Sequence, residues 1–246
     1  MTRIGLFILW LIHFLKPGTI ARIGEFLGEL LYRTGRGRVT RINLGLCFPE
    51  MPEAERDELA RRHFRALARS ALEQSILWYG TEGRVRAMIR IEGREHRDQL
   101  VGKPVILLAP HFVGLDFGGA RIGMEYRVCS MYSQQKNTVL NDILLRTRMR
   151  WGNPELVTRQ QGLRPLIKHI KNALPFYYLP DMDFGEKESI FAPFFGVPTA
   201  TVPAMSRLAR LTGAFIEDRV RDMPEQYFWV HKRFKTRPPG ERNLYE

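Results

Sequence analysis

The stretch Val105-Ile106-Leu107-Leu108-Ala109-Pro110-His111-Phe112-Val113-Gly114-Leu115-Asp116 decides the fold that the sequence predicts. Its first five residues are apolar and end at a proline, which is typical of a strand covered on both faces in a parallel sheet. Further strands are predicted at 127–132 and 176–179. Helices are predicted at 60–79, 141–150, 163–174 and 203–211. Because strands and helices alternate, we expect an α/β fold with a mostly parallel central sheet flanked by helices.

A histidine and an aspartate follow this strand directly. Ligands usually bind at the carboxyl ends of parallel strands, so His111 stands where a catalytic residue is expected. Asp116 is expected in the first turn of the next helix, with its carboxylate bent back toward the imidazole. A carboxylate that holds one ring nitrogen fixes the tautomer, and the other nitrogen can then take a proton from an attacking alcohol. The alternative is a hydrogen-bonded structural histidine.

No Gly-x-Ser-x-Gly nucleophile elbow is present, and no serine is obviously paired with His111. The sequence therefore favours direct attack by a substrate hydroxyl without an acyl-enzyme intermediate.

Three other stretches carry side chains suited to substrate binding. Arg146, Arg148 and Arg150 come close together in a predicted helix, and arginine is suited to phosphate or to a developing oxyanion. A solvated basic helix is the alternative. Asp181 and Asp183 follow the strand predicted at 176–179, where an ordinary surface turn is the alternative. The bulky loop 191–196 is expected either to wall an acyl chain or to belong to the core.

Composition narrows the class of protein. A chain of 246 residues that is 44% hydrophobic can bury one substantial core, and a formal net charge of +12 favours an anionic partner. Nucleic acid, anionic lipid and an acidic carrier protein are the candidates, but no RNA-recognition or DNA-reading motif is present. The two cysteines, Cys47 and Cys129, have no partner at zinc spacing, so we expect two small buried side chains and neither metal nor cofactor.

The N-terminus predicts an association with membranes. Residues 4–15 are apolar except for Gly5 and His13, which is too short a run to cross a bilayer as a straight helix. Residues 20–31 continue with apolar side chains at helical spacing, and an arginine cluster at 33–41 suits anionic headgroups. We therefore expect a membrane-associating helical segment at 1–40 and one further domain at 41–246 on the cytoplasmic side. An amphipathic helix pair packed on the protein's own core is the alternative.

An ordered set of motifs along the chain resembles one known family. The set comprises residues 43–50 (NLGLCFPE), His111-Phe112 with Asp116, the arginines of 146–150, residues 180–185 (PDMDFG), 191–196 (FAPFFG) and 224–238 (PEQYFWVHKRFKTRP). Together they resemble the late acyltransferases of lipid A biosynthesis, within the lysophospholipid-acyltransferase superfamily.

The resemblance implies an acyl carrier protein thioester as donor and a hydroxyl of a lipid A precursor as acceptor, at the cytoplasmic face of the inner membrane. It implies that His111 is the general base, with Asp116 its partner and Arg148 and Asp181 also catalytic. Arg146, Arg150 and Asp183 are expected to bind substrate. Acceptors from another glycolipid, an aminolipid or a lysophospholipid stay open, as does a non-catalytic paralogue that binds membranes or anions.

The chain departs from the family pattern at one place. In relatives, several dozen residues with further strands separate the segment matching 206–214 from the one matching 224–234, whereas here Phe215 follows Ala214 directly. The proposed catalytic residues all precede this junction.

Overall fold

The computed structural model describes residues 2–183, 185–186, 189–201 and 209–246. The helices are α1 (Thr2–Ile12), α2 (Pro17–Tyr32), α3 (Gly35–Cys47), α4 (Glu53–Tyr79), α5 (Glu82–Met88), α6 (Arg94–Asp98), α7 (Leu115–Gly123), α8 (Thr138–Arg148), α9 (Arg164–Lys171) and α10 (Ala209–Asp222). The strands are β1 (Ile106–Leu108), β2 (Cys129–Tyr132), β3 (Glu155–Thr158), β4 (Phe176–Tyr178), β5 (Ile190–Phe194) and β6 (Val197–Thr201).

Four of these strands form the expected parallel sheet. They lie in the order β1-β4-β2-β3, and every neighbouring pair is parallel. The α/β class is therefore confirmed. The strand β1 lies at the edge of the sheet and its residues are only partly buried, so the expectation of full cover on both faces is wrong for it.

Two features of the strand pattern were not expected from the sequence. The short strand β3 is one, and the antiparallel hairpin β5–β6 is the other. In the hairpin turn, Phe195 (φ 51°) and Gly196 (φ 75°) both have positive φ, as tight hairpin turns require. The loop expected at 191–196 is therefore mostly strand, and Phe194 is buried in the core.

The helices predicted at 60–79, 141–150 and 163–174 are confirmed as α4, α8 and α9. Residues 202–208, which hold most of the helix predicted at 203–211, lie outside the described residues. The helix α10 begins at Ala209 and continues to Asp222, so it passes without a break through the Ala214–Phe215 junction.

The chain packs as two compact units, and both are discontinuous in sequence. The first comprises residues 1–17, 72–109 and 114–178, and it contains the parallel sheet. In it, Cys129, Leu166 and Phe176 pack together between the sheet and α9. The second comprises residues 18–71, 110–113 and 179–246, and it contains the hairpin. Its core includes Trp229 and Cys47, so burial of both cysteines is confirmed.

The helix α2 packs against α4 through its small and acidic residues. A Cβ atom on Gly28 would lie 2.5 Å from the carbonyl oxygen of Phe64, so the two helices meet backbone to backbone. Glu29 bonds to Arg65, and the Oε1 of Glu25 lies 3.8 Å from Arg69 Nη1. The polar side of α2 therefore faces α4.

The apolar side of α2 is left exposed. Its exposed side chains are Ile23, Phe26, Leu27, Leu30 and Leu31. In the other unit, α1 also exposes apolar side chains, namely Ile4, Phe7, Ile8, Trp10 and Leu11. Within the described part of the chain, no helix has both the length and the apolar character needed to cross a membrane.

Candidate active site

The centre of the site is a hydrogen-bonded pair formed by His111 and Asp181. The Nδ1 of His111 lies 2.6 Å from Oδ1 of Asp181, and the backbone N–H of His111 donates to Oδ2 at 2.8 Å. The Asp181 side chain is 1% exposed, whereas the imidazole is 22% exposed. One carboxylate thus binds His111 twice, once at the ring and once at the backbone, and the ring bond favours the tautomer with its proton on Nδ1 and Nε2 free to accept.

Strand register explains why these two residues meet. The strands β1 and β4 are neighbours, and Leu108 is the register partner of Tyr178. His111 lies three residues beyond Leu108, and Asp181 lies three residues beyond Tyr178. The histidine and the aspartate therefore follow two paired parallel strands by the same number of residues.

The charge of Asp181 is stabilised by its surroundings. Burial alone would raise the pKa of this carboxyl, but the hydrogen bonds from His111 and the charges of His111 and Arg233 outweigh burial and lower it. Tyr227 lies against the same carboxylate and is 3% exposed. Burial, and next the negative charge of Asp181, raise the pKa of Tyr227, so its hydroxyl keeps its proton and can donate to Asp181.

Asp116 occupies a different environment from the one expected. It does lie in the first turn of α7, as predicted. Its Oδ1, however, lies 3.3 Å from Nη2 of Arg148, and its Oδ2 accepts from Nε2 of Gln74 at 3.4 Å. The partner of the His111 Nδ1 is Asp181, so the expectation that Asp116 holds this nitrogen is corrected. The reason is the strand register, which places Asp181 at the imidazole.

The three neighbouring arginines have separate environments. Arg148 forms the ion pair with Asp116 at the end of α8. Arg150 donates to the carbonyls of Leu77, Trp78 and Gly80, so it caps the C-terminal end of α4. Arg146 is exposed and makes no hydrogen bond or ion pair with another described residue. The substrate-binding roles expected of Arg146 and Arg150 stay predictions, and the present contacts of Arg150 are structural.

The carboxylate of Asp183 is buried and is used by the chain itself. Its side chain is 0% exposed. It accepts from the backbone N–H groups of Gly185 and Thr236 and from the Thr236 hydroxyl, each at 2.9 Å. A direct substrate contact by Asp183 stays a prediction, because it would require these bonds to break.

His231 lies beside this loop as a neutral side chain. The backbone N–H of Asp183 donates to its Nε2 at 3.4 Å. Burial, followed by the charges of Lys235 and Arg233, lowers the pKa of His231 to about 4. Sequence reasoning assigned no role to Tyr227, His231 or Thr236, although all three lie in the 224–238 stretch that carries the family resemblance.

The arrangement of His111 and Asp181 suits proton transfer. Over the described ranges, no three His, Cys, Asp or Glu side chains are grouped so that they could hold a metal ion. A buried carboxylate that orients a partly exposed imidazole is an arrangement that can serve general-base catalysis.

Comparison with known proteins gives the family. The model of the bacterial lipid A biosynthesis acyltransferases matches residues 1–216. The lipid A biosynthesis palmitoleoyltransferase of Escherichia coli (strain K12) is 30% identical over 290 aligned positions, which cover 100% of this chain and 94% of the relative. The lauroyltransferase of the same organism is 30% identical over 291 positions, with the same coverage of both chains.

A third relative, a lipid A biosynthesis acyltransferase of Haemophilus influenzae, is 25% identical over 267 positions, covering 91% of this chain and 85% of the relative. The chain therefore belongs to the family of bacterial lipid A biosynthesis acyltransferases.

Proposed function

We propose that this protein transfers a fatty acyl group from an acyl carrier protein thioester to a hydroxyl of a lipid A precursor. The observation that carries the proposal is the His111–Asp181 pair, with its 2.6 Å hydrogen bond at the end of β1 and β4. The family supplies the reaction class, since the relatives are named lipid A acyltransferases. The net charge of +12 suits both an acidic carrier protein and anionic lipid.

The proposed reaction needs one base and no covalent intermediate on the protein. The Nε2 of His111 takes the proton of the acceptor hydroxyl while the oxygen attacks the thioester carbonyl carbon and forms a C–O bond. The resulting oxyanion collapses, the C–S bond breaks, and the departing sulfur takes the proton back from the imidazolium. An ester and the free carrier thiol are formed, and Asp181 stabilises the imidazolium throughout.

We assign the Asp116–Arg148 pair to the same reaction. A guanidinium suits either the developing oxyanion or a phosphate of the acceptor, and Asp116 fixes its orientation through the 3.3 Å contact. This assignment is tested independently of His111. Arg148→Lys keeps the positive charge but loses the planar fork of the guanidinium. It should therefore lower the rate of acyl transfer even though the charge is retained.

The decisive experiment is incubation of the full chain with a series of acyl carrier protein thioesters and a lipid A precursor, followed by mass analysis of the lipid. A mass increase by one acyl group is expected, and His111→Ala should lower the rate by 10²- to 10⁴-fold without unfolding the protein. His96, which is exposed in α6, provides the matched control as His96→Ala. A rate loss of less than tenfold in His111→Ala contradicts the proposal. If only another lipid is acylated, the proposed acceptor is wrong.

We also propose that the N-terminal helices hold the protein on the cytoplasmic face of the inner membrane. The support is the orientation of α2. Its acidic residues face α4, whereas Phe26 and Leu30 on its apolar side are 66% and 49% exposed. Apolar faces flanked by arginines are typical of helices lying in the headgroup region. A Phe26→Ser/Leu30→Ser variant should float less with anionic vesicles, whereas Val101→Ser, at a similarly exposed apolar residue, should float as before.

The division into a segment at 1–40 and an acyl-transfer domain at 41–246 is likewise proposed, with the relatives' extra segment placed near Ala214. Two observations support that placement. The alignment with the palmitoleoyltransferase runs over 290 positions against 246 residues here, and the family match ends at residue 216.

A further inference from the structure

The segment of residues 226–236, which we call the C-terminal clamp, contacts both loops of the His111–Asp181 pair. On the histidine side it pairs as backbone. The N–H of Val113 donates to the carbonyl of Gln226 at 2.6 Å, and the N–H of Phe228 donates to the carbonyl of His111 at 3.1 Å. Phe112 and Tyr227 form the antiparallel bridge between these bonds. The clamp therefore fixes the backbone on both sides of Phe112.

On the aspartate side the clamp uses side chains. The backbone N–H and the hydroxyl of Thr236 both donate to the buried carboxylate of Asp183 at 2.9 Å. The imidazole of His231 accepts from the backbone N–H of Asp183 at 3.4 Å. Since Asp183 is two residues from Asp181, these bonds fix the backbone that carries the carboxylate of the pair.

The clamp itself is rigidly held. Trp229 is 1% exposed and Phe234 is 0% exposed. The side-chain amide of Asn43 in α3 donates to the carbonyls of Trp229 at 2.6 Å and His231 at 2.8 Å. The hydroxyl of Tyr245 donates to Asn43 at 2.5 Å and accepts from the N–H of Phe234 at 3.0 Å. A segment anchored by two buried aromatic side chains and by these hydrogen bonds can transmit a fixed spacing to both loops, which a mobile one could not.

We infer that the C-terminal clamp sets the spacing between His111 and Asp181, and that Thr236 is a positioning residue for acyl transfer. Thr236 does not meet the substrate. It acts through Asp183 on the loop that carries Asp181. The inference rests on the proposed function, because it assumes that the His111–Asp181 pair performs the proton transfer. It concerns residues beyond the 1–216 range of the family match.

The test compares Thr236→Val with Thr236→Ser in the full chain, using the acyl transfer assay. Valine removes the hydroxyl bond to Asp183 at nearly unchanged volume, whereas serine keeps it. Misplacing one member of a catalytic pair lowers the rate of the chemical step, so Thr236→Val should lower kcat by about tenfold with KM within about twofold. Thr236→Ser should stay within about twofold of the wild-type kcat.

Thr199→Val is the matched control for a merely structural loss. Thr199 is fully buried, and its hydroxyl donates to the carbonyl of Val197 at 2.8 Å within the hairpin. Thr199→Val should lower the melting temperature about as much as Thr236→Val does, while leaving kcat unchanged. Equal kcat values for wild type and Thr236→Val, or a Thr236→Ser kcat as low as that of Thr236→Val, overturn the inference.

Two variants of His231 test the same inference if Thr236→Val does not fold. His231→Leu removes the acceptor for the Asp183 N–H, and His231→Gln supplies one near the same position. The inference requires a lower kcat for leucine than for glutamine, and equal values overturn it. Failure of the proposed function is distinguished by His111→Ala. If that variant stays active, the pair is not the catalytic base, whereas an inactive His111→Ala beside a fully active Thr236→Val overturns only the clamp.

Discussion

Replacing Asp181 by asparagine tests which carboxylate supports His111 in the proposed reaction. The wild-type carboxylate accepts two N–H groups of His111, from Nδ1 at 2.6 Å and from the backbone at 2.8 Å. An asparagine offers one oxygen and one NH2 group at these two positions. If the oxygen keeps the backbone N–H, the NH2 group faces Nδ1 and forces the ring proton onto Nε2. That nitrogen can then no longer accept a proton from the acceptor hydroxyl.

The opposite orientation of the amide is no better. The NH2 group would then face the backbone N–H of His111, leaving a buried donor unpaired at a cost of about 1–3 kcal/mol. The first arrangement removes the acceptor nitrogen, and both remove the negative charge that stabilises the imidazolium, so we expect Asp181→Asn to lower kcat by about 10³-fold, or about 4 kcal/mol of transition-state stabilisation. The effect on KM should be small, because the Asp181 side chain is buried and its carboxylate is taken up by His111.

The assay is steady-state acyl transfer, with Asp116→Asn as the comparison and the exposed Asp218→Asn as the matched control. Asp116→Asn weakens the ion pair with Arg148, in which the side chains of Asp116 and Arg148 are 26% and 36% exposed. It leaves the tautomer of the His111 imidazole unaffected. Its loss of kcat should therefore be at least tenfold smaller than that of Asp181→Asn. A larger loss for Asp116→Asn than for Asp181→Asn would refute this assignment and restore the pairing expected from the sequence.

Three further predictions concern the fold. Gly28→Ala should lower the free energy of unfolding by about 1–3 kcal/mol in chemical denaturation, since its Cβ would meet backbone, whereas Gly45→Ala, with nothing within 4 Å of its Cβ, should be neutral or stabilising by up to about 1 kcal/mol. Burial lowers the pKa of His63 to about 4, so at mildly acidic pH the unfolded chain binds a proton at this residue and the folded chain does not. The free energy of unfolding should therefore fall by about 2 kcal/mol between pH 7.5 and pH 5 because of His63. His63→Asn, which keeps a donor and does not titrate, should reduce that pH dependence by the same amount, and an unchanged slope would contradict the assignment. Burial raises the pKa of Cys129 to about 11 and that of Cys47 higher still, so a thiol reagent should count two cysteines only after denaturant is added.

The parallel sheet was predictable because its strands have a strong local signal. Five consecutive apolar residues at 105–109 and the aromatic run at 176–178 are continuous patterns that need no knowledge of distant contacts. The strand β3 has the sequence ELVT, which is too short and too polar at its ends for such a pattern. The hairpin was hidden by Pro193 inside β5, since proline argues against a strand except at an edge.

The bonding partner of His111 was not predictable from the sequence. His111, Asp116, Arg148 and Asp181 were all expected, the first two from position after a strand and the others mainly from the family resemblance. Local reasoning favoured Asp116 as the partner of His111, because only five residues separate them along the chain. The residue that bonds Nδ1 is seventy positions away. Its proximity depends on which strand lies beside β1 in the sheet, and a single sequence does not state strand order.

Strand order also gives the two acids different physical roles. Asp181 follows the neighbour of β1 and is buried, so it is suited to stabilising a positive imidazolium in a medium where charges interact strongly. Asp116 lies in the first turn of α7, partly exposed, where a carboxylate gains from the helix N-terminus and can orient the exposed guanidinium of Arg148. No single point mutation exchanges these two environments. A glutamate at position 116 should be tolerated because the side chain has room to extend. A glutamate at position 181 should abolish transfer, because an added methylene at this buried position would have to displace the imidazole that the carboxylate holds. Measured kcat values for Asp116→Glu and Asp181→Glu check this difference, and comparable losses in the two variants would contradict it.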